Sequence, residues 1–167
     1  GTVLNAGSQT LSVTFTPADA ANYSSVTKAV AINIGKAMPV ITWNSPVDIV
    51  YGTTLGTAQL NAAVSGNVAG TLVYTPPSGT VLNAGSQTLS VTLTPTDAAN
   101  FSSVTTVVAI SVGKSTPVID WNTPAEIVYG TALGPTQLNA TVAGSVAGTL
   151  VYTPPSGTVP NAGSQTL

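Results

Sequence analysis

Cysteine, histidine and arginine are all missing from this chain, and the charge that remains amounts to three lysines and five acids in 167 residues. Without cysteine there is no disulfide, no thiol nucleophile and no thiolate metal site. Without histidine the usual proton shuttle near neutral pH is gone. Lys28, Lys36 and Lys114 are the entire cationic inventory and the net charge is -2, so no surface can neutralise a run of phosphates, and nucleic acid is excluded as a partner. A basic helix that docks on membranes is excluded by the same count. No apolar run reaches the length of about 18 residues that a spanning helix needs, so no membrane insertion is expected in this segment.

Charged residues make up 5% of the chain, against about 25% in ordinary soluble domains. Almost nothing titrates between about pH 5 and 9, so the protein is expected to be insensitive to pH and salt. A surface of Thr, Ser, Ala and Asn also lacks the like-charge repulsion that keeps folded proteins apart, which leaves it free to associate laterally.

What is present is repetition. Residues 36–89 and 114–167 align without a gap and differ at 13 of 54 positions, and residues 1–35 and 79–113 differ at 7 of 35. Both offsets are 78 residues. A fixed period of this size reads as an array of equal units. The boundaries fall at residues 113–117, Gly-Lys-Ser-Thr-Pro, and at the equivalent Gly35-Lys36-Ala37-Met38-Pro39. The expected organisation is the C-terminal half of a unit over 1–34, a complete unit over 35–112 and the N-terminal two-thirds of another over 113–167. Linkers this short and proline-bearing give a semi-rigid string of beads. Because the chain begins and ends in mid-repeat, the expectation is a longer polypeptide whose targeting elements lie elsewhere. Strand exchange between chains, each completing the other's partial unit, is a further option, although residues 157–167 and 1–11 would then be redundant.

Inside the unit the pattern has period two. Leu89, Val91 and Leu93 alternate with Ser90, Thr92 and Thr94, which is a strand with one apolar face and one threonine face. Val108, Ile110 and Val112 repeat the pattern, and Leu72 with Tyr74 does so between Thr71 and Thr75. Further short strands are expected at 40–43, 49–51 and 59–64, separated by breakers such as Asn44-Ser45-Pro46 and Pro76-Pro77-Ser78-Gly79. Asn83-Ala84-Gly85 reads as a tight turn, with Gly85 available for a positive φ. No stretch has useful helical periodicity. Six or seven short strands in about 78 residues predict an all-β chain of small antiparallel β-sandwiches without disulfides.

The residues from Pro39 onward, P-V-I-T-W-N-S-P-V-D-I-V-Y-G-T-T-L, and from Tyr74 onward, Y-T-P-P-S-G-T-V-L-N-A-G-S-Q-T-L-S-V-T-L-T-P-T-D-A-A-N-F, resemble the bacterial Ig-like repeats of the MBG type. The resemblance covers essentially the whole chain. It implies Ig-like sandwiches in tandem within large secreted or cell-surface bacterial proteins, and it implies no catalytic residue. Asp19-Ala20-Ala21-Asn22-Tyr23 and Asp97-Ala98-Ala99-Asn100-Phe101 resemble the tyrosine corner of such domains, but Phe101 in the second copy makes the ring rather than the hydroxyl the common element.

Reactive groups are scarce. A serine or threonine nucleophile would need a lysine as its base, and Lys28 is replaced by Thr106 in the next copy, while Lys36 and Lys114 read as solvated linker charges. A glycosidase pair would have to come from the acid near the first strands, Asp48 or Glu126, and the acid of the late loop, Asp19 or Asp97, converging in an aromatic-walled cleft, while Asp120 has Thr42 as its counterpart. Neither chemistry has a supporting motif, and no enzyme activity and no cofactor are expected. Calcium is the cation the composition admits, with Asp19, Asn22, Asp97 and Asn100 as weak candidates. One carboxylate per loop is far short of its six to eight oxygens, and an Asx-turn explains the same residues. Trp43 and Trp121 recur once per unit, either as a core plug or as a platform for sugar rings. Asn22, Asn100 and Asn139 match the N-glycosylation acceptor pattern, as chance alone would allow in a chain so rich in Ser, Thr and Asn. The expectation is a structural segment of an extracellular filament or stalk whose partners are adjacent repeats or copies of itself. The alternative is a surface adhesin that binds glycans, which a solvent-exposed Trp121 would support and a buried one would leave behind the filament reading.

Overall fold

In a computed structural model, which describes residues 1–166, the chain is all-β: ten strands and one 3-10 turn, with no α-helix among the described residues. It divides into two compact units, Gly1–Lys114 and Ser115–Leu167. Residues 1–34 belong to the same compact unit as the complete repeat that follows them.

The first unit opens with an antiparallel hairpin, β1 (Gly7–Phe15) and β2 (Val26–Ile34), in register from Gly7 opposite Ile34 to Phe15 opposite Val26. Next come β3 (Ile41–Thr42), β4 (Ile49–Val50), β5 (Ala63–Val64), β6 (Gly70–Thr75), β7 (Gly85–Pro95) and β8 (Val104–Gly113). A four-stranded sheet runs in the order β4-β8-β7-β6, and β3 and β5 form a separate antiparallel pair. The β7–β8 hairpin repeats β1–β2 at the 78-residue offset, with Gly85 opposite Val112 and Leu93 opposite Val104.

The threonine-alternating pattern of β7 works as its sequence implies. Leu89, Val91 and Leu93 are each 0% exposed and share a core with Ile41, Trp43, Leu55, Leu82, Ile110 and Val112. Burying one such side chain contributes roughly 1.5–3 kcal/mol. On the other face the Thr92 and Thr105 hydroxyls meet across the strands at 2.8 Å, as Thr14 and Thr27 do at 2.7 Å in the first hairpin. The equivalents of the three core residues on β1 are not covered. Leu11, Val13 and Phe15 are 42%, 67% and 65% exposed, because β1 and β2 pair only with each other.

Two details depart from the expected strand plan. Only Ala63–Val64 of the stretch 59–64 is strand, because residues 57–59 form a turn in which Gly56 N donates to the Gln59 side-chain oxygen at 3.1 Å and Leu60 N to Gly56 O at 2.8 Å. The sheet is also not purely antiparallel. β4 runs parallel to β8, Ile49 opposite Val112, since β4 joins the sheet at its far edge from β6. Gly70 is required by packing. A Cβ there would lie 2.6 Å from Thr94 O and 2.8 Å from a Leu93 methyl, so β6 sits against β7 only because this position has no side chain.

The second unit holds β9 (Ile119–Asp120) and β10 (Thr141–Val142), paired antiparallel as β3 and β5 are, followed by a 3-10 turn at Ala143–Ser145. Leu133 is buried as Leu55 is. Ile119, however, is 58% exposed where its equivalent Ile41 is 9%, and residues 148–153, equivalent to β6, are not strand. A lone extended segment has no ladder to join, and β6 itself pairs only with β7. No helix among the described residues is long and apolar enough to cross a membrane.

Candidate functional site

Trp43 follows β3 directly and turns into the core, 8% exposed. Its indole nitrogen donates to Gln59 O at 3.1 Å, and its ring meets Tyr74 edge-on, centroids 5.5 Å apart at 72°. Edge-to-face pairing of this kind adds to what burial alone provides. The Tyr74 hydroxyl in turn accepts from Ala62 N at 3.0 Å, so both polar handles of the pair are used inside the fold. In the second unit Trp121 makes the same bond to Gln137 O at 2.9 Å and the same contact with Tyr152, 5.4 Å at 70°. Trp121 is only half-buried, and it lines a cleft of about 720 Å³ with Glu126, Tyr129, Leu133 and Pro160. Trp43 instead shares a buried core with residues of β7 and β8.

The two acid loops are near-identical in geometry. In the first, Asn22 N donates to Asp19 Oδ1 at 3.2 Å and Asn22 Nδ2 to Asp19 Oδ2 at 2.8 Å. In the second, Asn100 N and Nδ2 make the same bonds to Asp97 at 3.1 and 2.8 Å. These are Asx-turns, with the asparagine side chain bound back to the carboxylate that starts the loop. The side-chain bond from Asn22 is the main reason the Asp19 carboxyl is held below its ordinary value, and that from Asn100 does the same for Asp97, where Lys36 adds a smaller effect of the same sign. For a calcium ion, each loop supplies one carboxylate whose two oxygens already accept from the asparagine. No group of three or more Asp, Glu, His or Cys stands together as a metal-holding cluster among the described residues.

The second loop is also where the first hairpin meets the complete repeat. Ala6 N donates to Asn100 Oδ1 at 2.7 Å, and Asn100 Nδ2 reaches Asn5 Oδ1 at 3.3 Å. The linker closes on the same loop: Lys36 Nζ donates to Ala98 O at 2.6 Å, Ala37 N to Asn100 O at 2.8 Å and Ser102 N to Ala37 O at 2.9 Å. Lys36 is therefore bound back to the loop rather than standing free in solvent. This convergence is not visible in the pattern of any one unit. It is foreshadowed only by what the copies retain, Asn-Ala-Gly at 5–7, 83–85 and 161–163 and Asp-x-x-Asn at 19–22 and 97–100, while Tyr23 and Lys28 change.

The remaining acids are dispersed. Asp48 accepts weakly from Ser111 N at 3.3 Å, Asp120 lies in β9, and Glu126 borders the Trp121 cleft. No protein-family model, curated protein or solved structure matches the chain.

Proposed function

We propose that this chain is a non-catalytic structural segment of an extracellular bacterial filament or stalk, built from tandem Ig-like β-sandwiches of 78 residues joined head to tail. The observation that carries the reading is the equivalence of β1–β2 and β7–β8: the same register, the same threonine pair and the same Asx-turn recur at a constant offset. What recurs is packing and turn geometry, and that is what a spacer needs from every copy. The low charge supports lateral association of such a string.

An adhesin that bound through the recurring tryptophan would present that ring exposed, whereas Trp43 is 8% exposed and Trp121 half-buried. In the complete unit Trp43 and Tyr74 face each other inside the fold, which favours the structural reading. Negative-stain electron microscopy of the native material tests the proposal. Regular filaments with a repeat matching one unit support it, and dispersed particles overturn it. Retention of the protein on immobilised glycans would move the reading to the adhesin.

A further inference from the structure

We propose that the loop of Asp97, Ala98, Ala99 and Asn100 is a receptor for the Asn-Ala-Gly turn of the preceding repeat, so that consecutive units are clasped as well as covalently joined. The inference rests on the tandem-array reading and names the surface through which one repeat holds the next. Its partner is another copy of the same unit.

The contact is made at a distance in sequence. Asn100 meets Ala6 and Asn5 across 94 and 95 residues, and nearly all its polar groups are engaged. Its backbone NH and side-chain amide bind Asp97, its side-chain oxygen takes the Ala6 NH, and its carbonyl takes the Ala37 NH. Asp97 thus orients the amide, and the amide reads the turn. All the groups that meet across the repeats are neutral, so the clasp suits a chain that has almost no charge to spend and should hold in high salt.

Both halves are preformed. The loop at Asp19 and Asn22 has the same two internal bonds although no Asn-Ala-Gly turn is seated on it. The turn is also the same each time: Gly7, Gly85 and Gly163 have φ of 108°, 114° and 110°, and the glutamine two residues on donates back to the asparagine carbonyl at 3.1, 3.1 and 3.4 Å. Rigid partners lose little freedom on docking. The turn at Asn83-Ala84-Gly85 lies at the β8 end of its hairpin, beside the linker to the next unit, whereas the receptor loop lies at the opposite end, between β7 and β8. A unit therefore carries the turn at one end and the receptor at the other, as head-to-tail propagation requires.

The test is amide hydrogen exchange on the full 167-residue chain by NMR, comparing Asn100→Ala with Asn22→Ala. Exchange at Ala6 should become about tenfold faster in Asn100→Ala, the change expected for losing one hydrogen bond of ordinary strength, and should be unaltered in Asn22→Ala. Asn5→Ala, which leaves the loop intact, should accelerate it more modestly. Unchanged protection at Leu89 and Ile110 checks that the complete unit stays folded. Ala6 exchange that is unaltered by Asn100→Ala, or equally altered by Asn22→Ala, overturns the clasp. Filaments formed by a chain with an unprotected Ala6 would remove the clasp and leave the array; a protected Ala6 in material that never forms filaments would do the reverse.

Discussion

Leu89 and Leu11 occupy the same position of the repeat, on equivalent strands in equivalent register, yet one is fully covered and the other 42% exposed. Replacing each by alanine therefore isolates burial from every local factor. At Leu89 the substitution removes three carbons from the middle of the core, about 2.4 kcal/mol at roughly 0.8 kcal/mol per methylene. The cavity left among Val91, Trp43 and Ile110 brings the cost to about 3–4 kcal/mol. A unit of this size is stable by only about 5 kcal/mol, so Leu89→Ala should leave it barely folded. At Leu11 most of that loss is absent and the cost should stay below about 1 kcal/mol. Urea titration followed by Trp43 fluorescence, in a Trp121→Phe background that leaves one reporter, measures both. With a slope of about 1 kcal/mol per molar urea, Leu89→Ala should lower the midpoint by about 3 M and Leu11→Ala by less than about 1 M. Equal shifts for the two variants would refute the assignment of the core to β7 and β8.

Gly70→Ala should destabilise the complete unit by about 1–3 kcal/mol through overpacking against Thr94 and Leu93, and Gly148→Ala, whose added Cβ meets nothing within 4 Å, should be silent in the same thermal melt. Gly85→Ala should cost about 1–2 kcal/mol in that assay because φ is +114° there. Asp19 and Asp97 titrate lower in the folded chain than their ordinary value of 3.8, so their contribution is present above that value and lost as pH falls through the folded one. The melting temperature should be flat above about pH 5 and fall only below about pH 4, and the double variant Asp19→Asn with Asp97→Asn should flatten that acid limb.

The strands with clear alternation were legible in the sequence, because Leu89, Val91 and Leu93 can face one core in only one register, and a slip by one residue would expose all three. The glycine of the Asn-Ala-Gly turn was legible for an equally local reason, its need for a positive φ. The short strands were not. Ile49–Val50 pairs in parallel with a strand more than fifty residues away, and nothing in three or four apolar residues specifies a remote edge partner. The turn at 57–59 was hidden because Gln59 serves as its hydrogen-bond acceptor while standing in an apparently alternating run. At the candidate site the Asx-turn followed from Asp-x-x-Asn alone. The bond from Ala6 to Asn100 spans two repeats and could not be read from either one.

The contrast between copies also bears on how such a chain holds together. Near-identical segments give a closed core at 35–113 and open apolar faces in the β1–β2 hairpin, so the sequence of a segment sets its strand and turn geometry but its neighbours set its burial. Units of about 78 residues have little stability to spare, and in a linear array each added interface stabilises both of its neighbours. Under the proposed reading, the clasp at Asn100 supplies that coupling where the linker alone would leave the units to open independently. It does so with neutral amides, in a protein whose surface offers almost no ion pairs for the purpose. Under the proposed tandem-array reading, uncharged threonine faces, preformed asparagine turns and the buried Trp43 serve one end, a string whose stiffness and stability depend on geometry and vary little with salt or pH.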